Sequence, residues 1–167
     1  MAALHLVRLW RRGAPALLAA LLGLAGAAQA RPVVQVLHNG FVSAEKFQRL
    51  EQLAAGEGVA LAHTDVERAT PAALRHAIAG AALLVLDTPR PGDRAMVQQH
   101  LRQVPGHDGP PWLVVGGGRP AWERLAPRPA ATLAALYAAG GAGNFGRFCA
   151  LARTVQQGAE PAPPAAY

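Results

Sequence analysis

Cysteine occurs once in this chain, at Cys149, so no internal disulfide can brace the fold. Lysine is nearly absent, and aromatic residues make up 5% of the sequence. The arginines are scattered with no aromatic residues between them, which argues against the basic, stacking surface of a nucleic-acid binder. No apolar run reaches the roughly 20 residues that a membrane-spanning helix needs. Common catalytic signatures are missing too. There is no G-x-S-x-G elbow, no H-E-x-x-H and no C-x-x-C. A small hydrolase or amidotransferase-like domain on a similar sheet is disfavoured by the missing nucleophile elbow.

What is present begins with "MAALHLVRLWRRGAPALLAALLGLAGAAQA". Arg8, Arg11 and Arg12 form a basic front, an apolar run follows from Ala14 to Ala27, and Ala28-Gln29-Ala30 ends it in an A-x-A pattern. This order of parts reads as an export signal over residues 1–30, cleaved after Ala30, with a periplasmic product and no stable membrane span after cleavage. A single membrane anchor is the competing reading, disfavoured by the short run and its small-residue end. Three of the 16 basic residues fall in this leader, so the formal charge of the rest is +3 instead of +6. The basic balance is thus largely a property of the leader.

Beyond Arg31 the chain alternates apolar runs with helix-like segments, which predicts one α/β domain over 31–157. The strands are expected at 32–38, 59–65, 82–88 and 111–118. Ser43 and Thr70-Pro71 read as N-terminal caps of helices at 43–58 and from 71. A third helix is expected at 91–104, and two more at 129–139 and 142–156. Runs of apolar strands between helices imply a parallel sheet covered on both faces. Right-handed crossovers then favour a flavodoxin-like or Rossmann-like, doubly wound sheet of about four strands in the order 2-1-3-4, followed by a helical hairpin. The Pro/Ala-rich end, 158–167, reads as a disordered tail.

Ligands of such sheets bind beyond the carboxyl ends of the strands. His38, His63, Asp65, Asp87 and Asp93 fall there. Of these, His38, His63, Asp65 and Asp87 are the candidate ligands of a divalent metal, because imidazole and carboxylate are metal donors. Strand ends carry polar residues in any case, and the spacing is not that of a tight metal motif. His100 reads as a partly exposed helix residue, and His76 and His107 carry no signal. The "VVGGGRP" segment lacks the Lys-Ser/Thr of a phosphate loop, so Gly116, Gly117 and Gly118 are expected to shape a turn. Cys149 lies at helical spacing with Phe145, Phe148 and Ala152, as a small buried residue would.

"LYAAGGAGNFGRFCALARTV" (136–155) reads as a helix closed by two glycines and followed at once by another. Gly141 is expected in a left-handed conformation as a cap, Asn144 caps the next helix or the turn, and Gly143 falls within the second helix. Physical chemistry makes this break structural. The same stretch resembles the Y-x-x-G-G-x-x-N-x-x-x-[LF] element near the N-terminus of CobN-type large subunits of cobaltochelatases and the related H subunits of magnesium chelatase. Tyr137, Gly140, Gly141, Asn144 and Phe148 are the matching residues. The segments "VLHNGFVSAEKFQRLEQLA", "LLVLDTPRPGDRAMV" and "WLVVGGGRPAWERL" resemble those that precede the element in exported variants. The resemblance implies a role in cobalamin-type tetrapyrrole metallation. The large subunit binds the tetrapyrrole and cobalt or magnesium, and separate ATPase subunits drive insertion. Family members are far longer, and the regions expected to hold the ring and the metal lie beyond the part matched. The expectation is therefore a truncated or free-standing N-terminal domain with no catalytic residue and no cofactor of its own. A stand-alone periplasmic module for a metal or a tetrapyrrole is the alternative.

Overall fold

The computed structural model describes residues 33–103, 109–117 and 119–156, all within the compact unit Arg31–Tyr167. The expected export signal at 1–30 and tail at 158–167 lie outside the described residues, as do Val104, His107 and Gly118. The fold is α/β. Five strands alternate with helices: β1 (Val33–His38), α1 (Ala44–Gly56), β2 (Ala60–Asp65), α2 (Pro71–Ala79), β3 (Leu83–Asp87), α3 (Pro91–Arg102), β4 (Trp112–Val114), β5 (Ala121–Glu123), α4 (Pro127–Ala139) and α5 (Gly141–Gln156).

The sheet order is β2-β1-β3-β4-β5. The first four strands pair in parallel, in the expected order 2-1-3-4, while β5 runs antiparallel to β4. The sheet thus has five strands, not about four. The reason is the length of the connection after Val114. Six residues separate β4 from β5, whereas a parallel crossover needs a dozen or more. The short link can only reverse the chain. Gly116 and Gly117 let it turn hard against β3. A Cβ on Gly116 would lie 2.6 Å from the Thr88 backbone nitrogen, and one on Gly117, whose φ is +57°, would lie 2.6 Å from the Pro89 carbonyl oxygen. Val115 N–H bonds to Leu86 O at 3.0 Å, closing this crossing.

Alternation along the strands divides the core into two layers. Val34, Val36, Leu83, Val85 and Leu113 face α1, α4 and α5, where Phe47, Leu50, Leu133, Tyr137, Phe145 and Phe148 are buried. Leu37, Leu84, Leu86 and Val114 face α2 and α3 through Leu74, Ile78 and Val97. Each large side chain so buried is worth roughly 1.5–3 kcal/mol. β3 is buried along its whole length, as its unbroken apolar run predicts for a central parallel strand.

Local signals are obeyed unevenly. Thr70 Oγ1 accepts from Ala73 N–H at 3.2 Å and Pro71 opens α2. Ser43 stands at the start of α1, but its side chain makes no capping hydrogen bond. The break between α4 and α5 is a single residue, Gly140, with φ +64° and ψ −167°. Gly141, with φ +76°, already opens α5. Both glycines adopt backbone that a side chain would strain. Asn144 Nδ2 donates to the Gly140 carbonyl at 2.9 Å, so it ties the turn from inside the following helix.

Candidate functional site

Parallel strands end on a common edge, and the register places His38 beside Asp65 on one side and Asp87 on the other. Residues paired in this way share a face of the sheet. That face is covered by α1, α4 and α5, so each polar strand end must find a partner among their side chains or carry an unpaired group into the core.

Asp87 is buried and finds two partners. Lys46 of α1 donates from Nζ to Asp87 Oδ2 at 2.8 Å, and Tyr137 of α4 donates its hydroxyl to the same oxygen at 3.0 Å. Lys46 Nζ also lies 4.2 Å from the centre of the Tyr137 ring, a cation–π arrangement. Burial, then the charge of Asp87, then the hydrogen bond to it raise the Tyr137 phenol well above its ordinary value. Tyr137 is therefore a neutral donor across the physiological range.

His38 is also buried, but its partners differ. Its Nδ1 faces the Asn39 carbonyl oxygen at 3.1 Å, and its Nε2 faces Nδ1 of His63 at 3.0 Å. Phe47 stacks on His63 with ring centres 4.6 Å apart and lies tilted against His38 at 4.1 Å. His63 Nε2 is 3.7 Å from Glu51 Oε1, and the His63 side chain is 38% exposed. The pair thus opens toward solvent between β2 and α1.

The loops around this edge are tied to one another. Asn39, fully buried, donates from Nδ2 to Asp93 at 2.9 Å. Glu67 accepts from Gly40 N–H at 3.2 Å and pairs with Arg90, whose guanidinium lies over the ring of Phe41. Arg94 bonds the Thr88 and Gly116 carbonyls, so the glycine turn is already held by protein groups and does not form a free anion cradle.

The four candidate metal ligands accordingly separate. His38 and His63 come together. Asp87 turns to Lys46 and Tyr137. Asp65 accepts from Glu67 N–H at 3.0 Å and pairs with Arg68. Among the described residues no three His, Cys, Asp or Glu side chains form a group able to hold a metal ion. Among the described residues a hard, oxygen-seeking ion such as magnesium finds no carboxylate set. Cys149 is buried, and burial followed by the charge of Glu57 pushes its thiol up to about 11, which makes it an inert packing residue. His100 is half-buried on α3, and its Nδ1 has no partner among the described residues.

Sequence reasoning missed Lys46, Phe47 as a ring platform, and Glu51. One signal was available. Lys46 is the sole lysine among 16 basic residues, and it lies on the inner edge of α1, next to the Phe47 and Leu50 stripe. Tyr137 stands in the helix-break element, yet its hydroxyl belongs to the strand-end site.

No family model matches the chain, and no curated protein matches it. A heterocyclase solved in complex with substrate and cofactor is similar in backbone at a TM-score of 0.39 and 14% identity, over 76% of this chain and 19% of that one. A likeness of that size carries no argument about family or function. Among the described residues, no helix is long and apolar enough to cross a membrane.

Proposed function

We propose that this chain is the N-terminal domain of a CobN-like chelatase large subunit, exported, and that it serves binding or assembly in tetrapyrrole metallation without inserting the metal itself. One observation carries the reading. The five residues that carry the resemblance work as one unit, and that unit ends on the strand-end site. Gly140 and Gly141 make the sharp break, Asn144 ties it, Phe148 meets the Tyr137 ring edge-on with ring centres 5.3 Å apart, and Tyr137 reaches Asp87. A break that only joined two helices would not need the tyrosine hydroxyl at the sheet edge. The non-catalytic part of the reading is supported by the way Asp87, Asp65 and Asp93 are each engaged by neighbouring groups. ATPase subunits of a chelatase are the implied partners, and cobalt or magnesium with a tetrapyrrole is the implied cargo of the larger assembly.

The test mixes the full chain with chelatase ATPase subunits, ATP, a cobalt or magnesium salt and a tetrapyrrole. The expected result is co-elution with the ATPase subunits or the tetrapyrrole and no metallated product above the protein-free background. Product formation would place an active site in this short chain and overturn the non-catalytic reading. Failure to co-elute with either would remove the chelatase reading. Fractionation with N-terminal sequencing checks export, with Arg31 expected as the first residue of a periplasmic product. A cytoplasmic protein that keeps Met1 contradicts it. A stand-alone periplasmic binding module is the second reading, favoured by the open histidine pair.

A further inference from the structure

The hydrogen-bonding pattern of the histidine pair shows where a cation fits. A carbonyl oxygen can only accept, so the Asn39 carbonyl requires the proton of His38 on Nδ1. His38 Nε2 then presents a lone pair on the side of His63 Nδ1, 3.0 Å away. Two neutral arrangements of His63 remain. With its proton on Nε2, it faces the Glu51 carboxylate favourably, but two lone pairs confront each other across the 3.0 Å gap. With its proton on Nδ1, the pair is bonded, but a bare nitrogen faces a carboxylate. Neither arrangement satisfies both contacts of His63, and a cation bound between the rings does.

We propose that His38 Nε2 and His63 Nδ1 together bind one borderline divalent transition-metal ion, of the nickel, copper or zinc class. Three features support a metal ion in addition to a proton. The remote nitrogen of each ring faces an oxygen acceptor, a backbone carbonyl for His38 and a carboxylate for His63, which is the outer-shell arrangement of metal-bound imidazoles. Two nitrogens about 2.1 Å from one ion lie roughly 3.0 Å apart at the right angle of square-planar copper or nickel, the separation found here. Phe47 packs on both rings and fixes their planes. His63 is partly exposed, so an ion can enter and complete its shell with water or with a donor from a bound ligand. Imidazole donors select these metals over magnesium. This inference rests on the pair's geometry and not on the chelatase reading.

The experiment titrates the untagged full chain with nickel chloride and with zinc chloride at neutral pH, with magnesium chloride as a control, by isothermal calorimetry. The expected result is one ion per chain in the micromolar range for nickel or zinc, at least tenfold weaker in His63→Gln, unchanged in His76→Gln on the exposed face of α2, and no response to magnesium. Circular dichroism of His63→Gln confirms that its fold is kept. Pulsed electron paramagnetic resonance of the copper-loaded chain should count two imidazoles in the parent and one in His63→Gln. Absence of binding, meaning that the pair holds only a proton, would overturn the proposal. Equal affinity in parent and His63→Gln, or a single imidazole in the parent, would do the same.

Discussion

Asp87 and His38 are partners on adjacent strands, yet the groups around them are completed in opposite ways. Asp87 meets a cation and a neutral donor, and both of its neighbours are satisfied by the same oxygen. His38 meets another imidazole, with a carboxylate behind it. The first arrangement is closed, because charge and hydrogen bonds balance within the protein. The second is open, because His63 reaches solvent. A closed cluster links α1, β3 and α4 and belongs to stability. An open one contributes little to folding and is available for binding. This distinction could not be drawn from residue types, since both clusters place His or Asp at the ends of parallel strands.

Removing the centre of the closed cluster should have the largest effect. Asp87→Ala leaves the Tyr137 hydroxyl buried without a partner and Lys46 without its counter-ion. Loss of one partner of a buried pair costs about 3 kcal/mol or more, and Lys46, at 27% side-chain exposure, keeps this near the lower end. Tyr137→Phe should cost less, about 1 kcal/mol, because Lys46 still neutralises Asp87. Urea denaturation checks both. A small loss for Asp87→Ala, equal to that of Tyr137→Phe, would show that the ion pair carries no weight.

Alkaline pH strikes the same layer from another direction. The Cys149 thiol titrates at about 11 in the folded chain against an ordinary value of 9.0. The native state therefore holds its proton where the unfolded state has lost it, so stability falls as pH rises. The contribution is intact below pH 9 and lost progressively toward pH 11, roughly 2 kcal/mol for the thiol alone. Tyr137, raised further by burial and by Asp87, continues the decline above pH 10. Melting temperatures from pH 8 to 11 should fall steeply in the parent and less steeply in Cys149→Ala. Parallel curves would mean that another group sets the alkaline limit.

The glycine break lies three residues beyond Tyr137. Gly140 combines φ +64° with ψ −167°, a region essentially reserved for glycine, and Gly141 has φ +76° with open space where a Cβ would stand. The penalty at Gly141 is thus backbone strain without a clash. Gly141→Val should cost roughly 1–2 kcal/mol. Gly143 is helical with nothing near its Cβ position, so Gly143→Ala should be neutral or stabilise by a few tenths of a kcal/mol up to about 1. Equal melting temperatures for Gly141→Val and the parent would refute the strain at that residue.

Much of the fold was legible because its signals are local and redundant. The apolar runs of β1 and β3, Thr70-Pro71 at the start of α2 and the order 2-1-3-4 all follow from patterning and crossover handedness. β5 was not legible. Three residues, Ala121–Glu123, with only Trp122 packed inward, give too short an alternation to register. The close crossing of Gly116 over Thr88 was also hidden, because it is a contact between distant segments. At the site, strand ends located His38, Asp65 and Asp87 correctly on one edge. Which of them would meet depended on α1 and α4. Lys46 captures Asp87 and Arg68 takes Asp65, and no spacing along the chain reports such choices.

The smallest expected effect is the one that most sharpens the comparison. In the metal-free chain, kept in chelator, His63→Gln should change stability by no more than about 0.5 kcal/mol, the range for surface positions outside a tight network. His63 is over a third exposed and Glu51 nearly half, so solvent screens their interaction. A glutamine amide can also donate to His38 Nε2 in place of the imidazole. Urea denaturation of parent and variant side by side gives the difference. A loss near 2 kcal/mol would mean that the His38–His63 contact is a closed structural bond like that of Asp87, and the contrast between the two clusters would fail. A near-zero change, set against a large loss for Asp87→Ala one strand away, would show that neighbouring positions on one sheet edge can serve stability and binding separately.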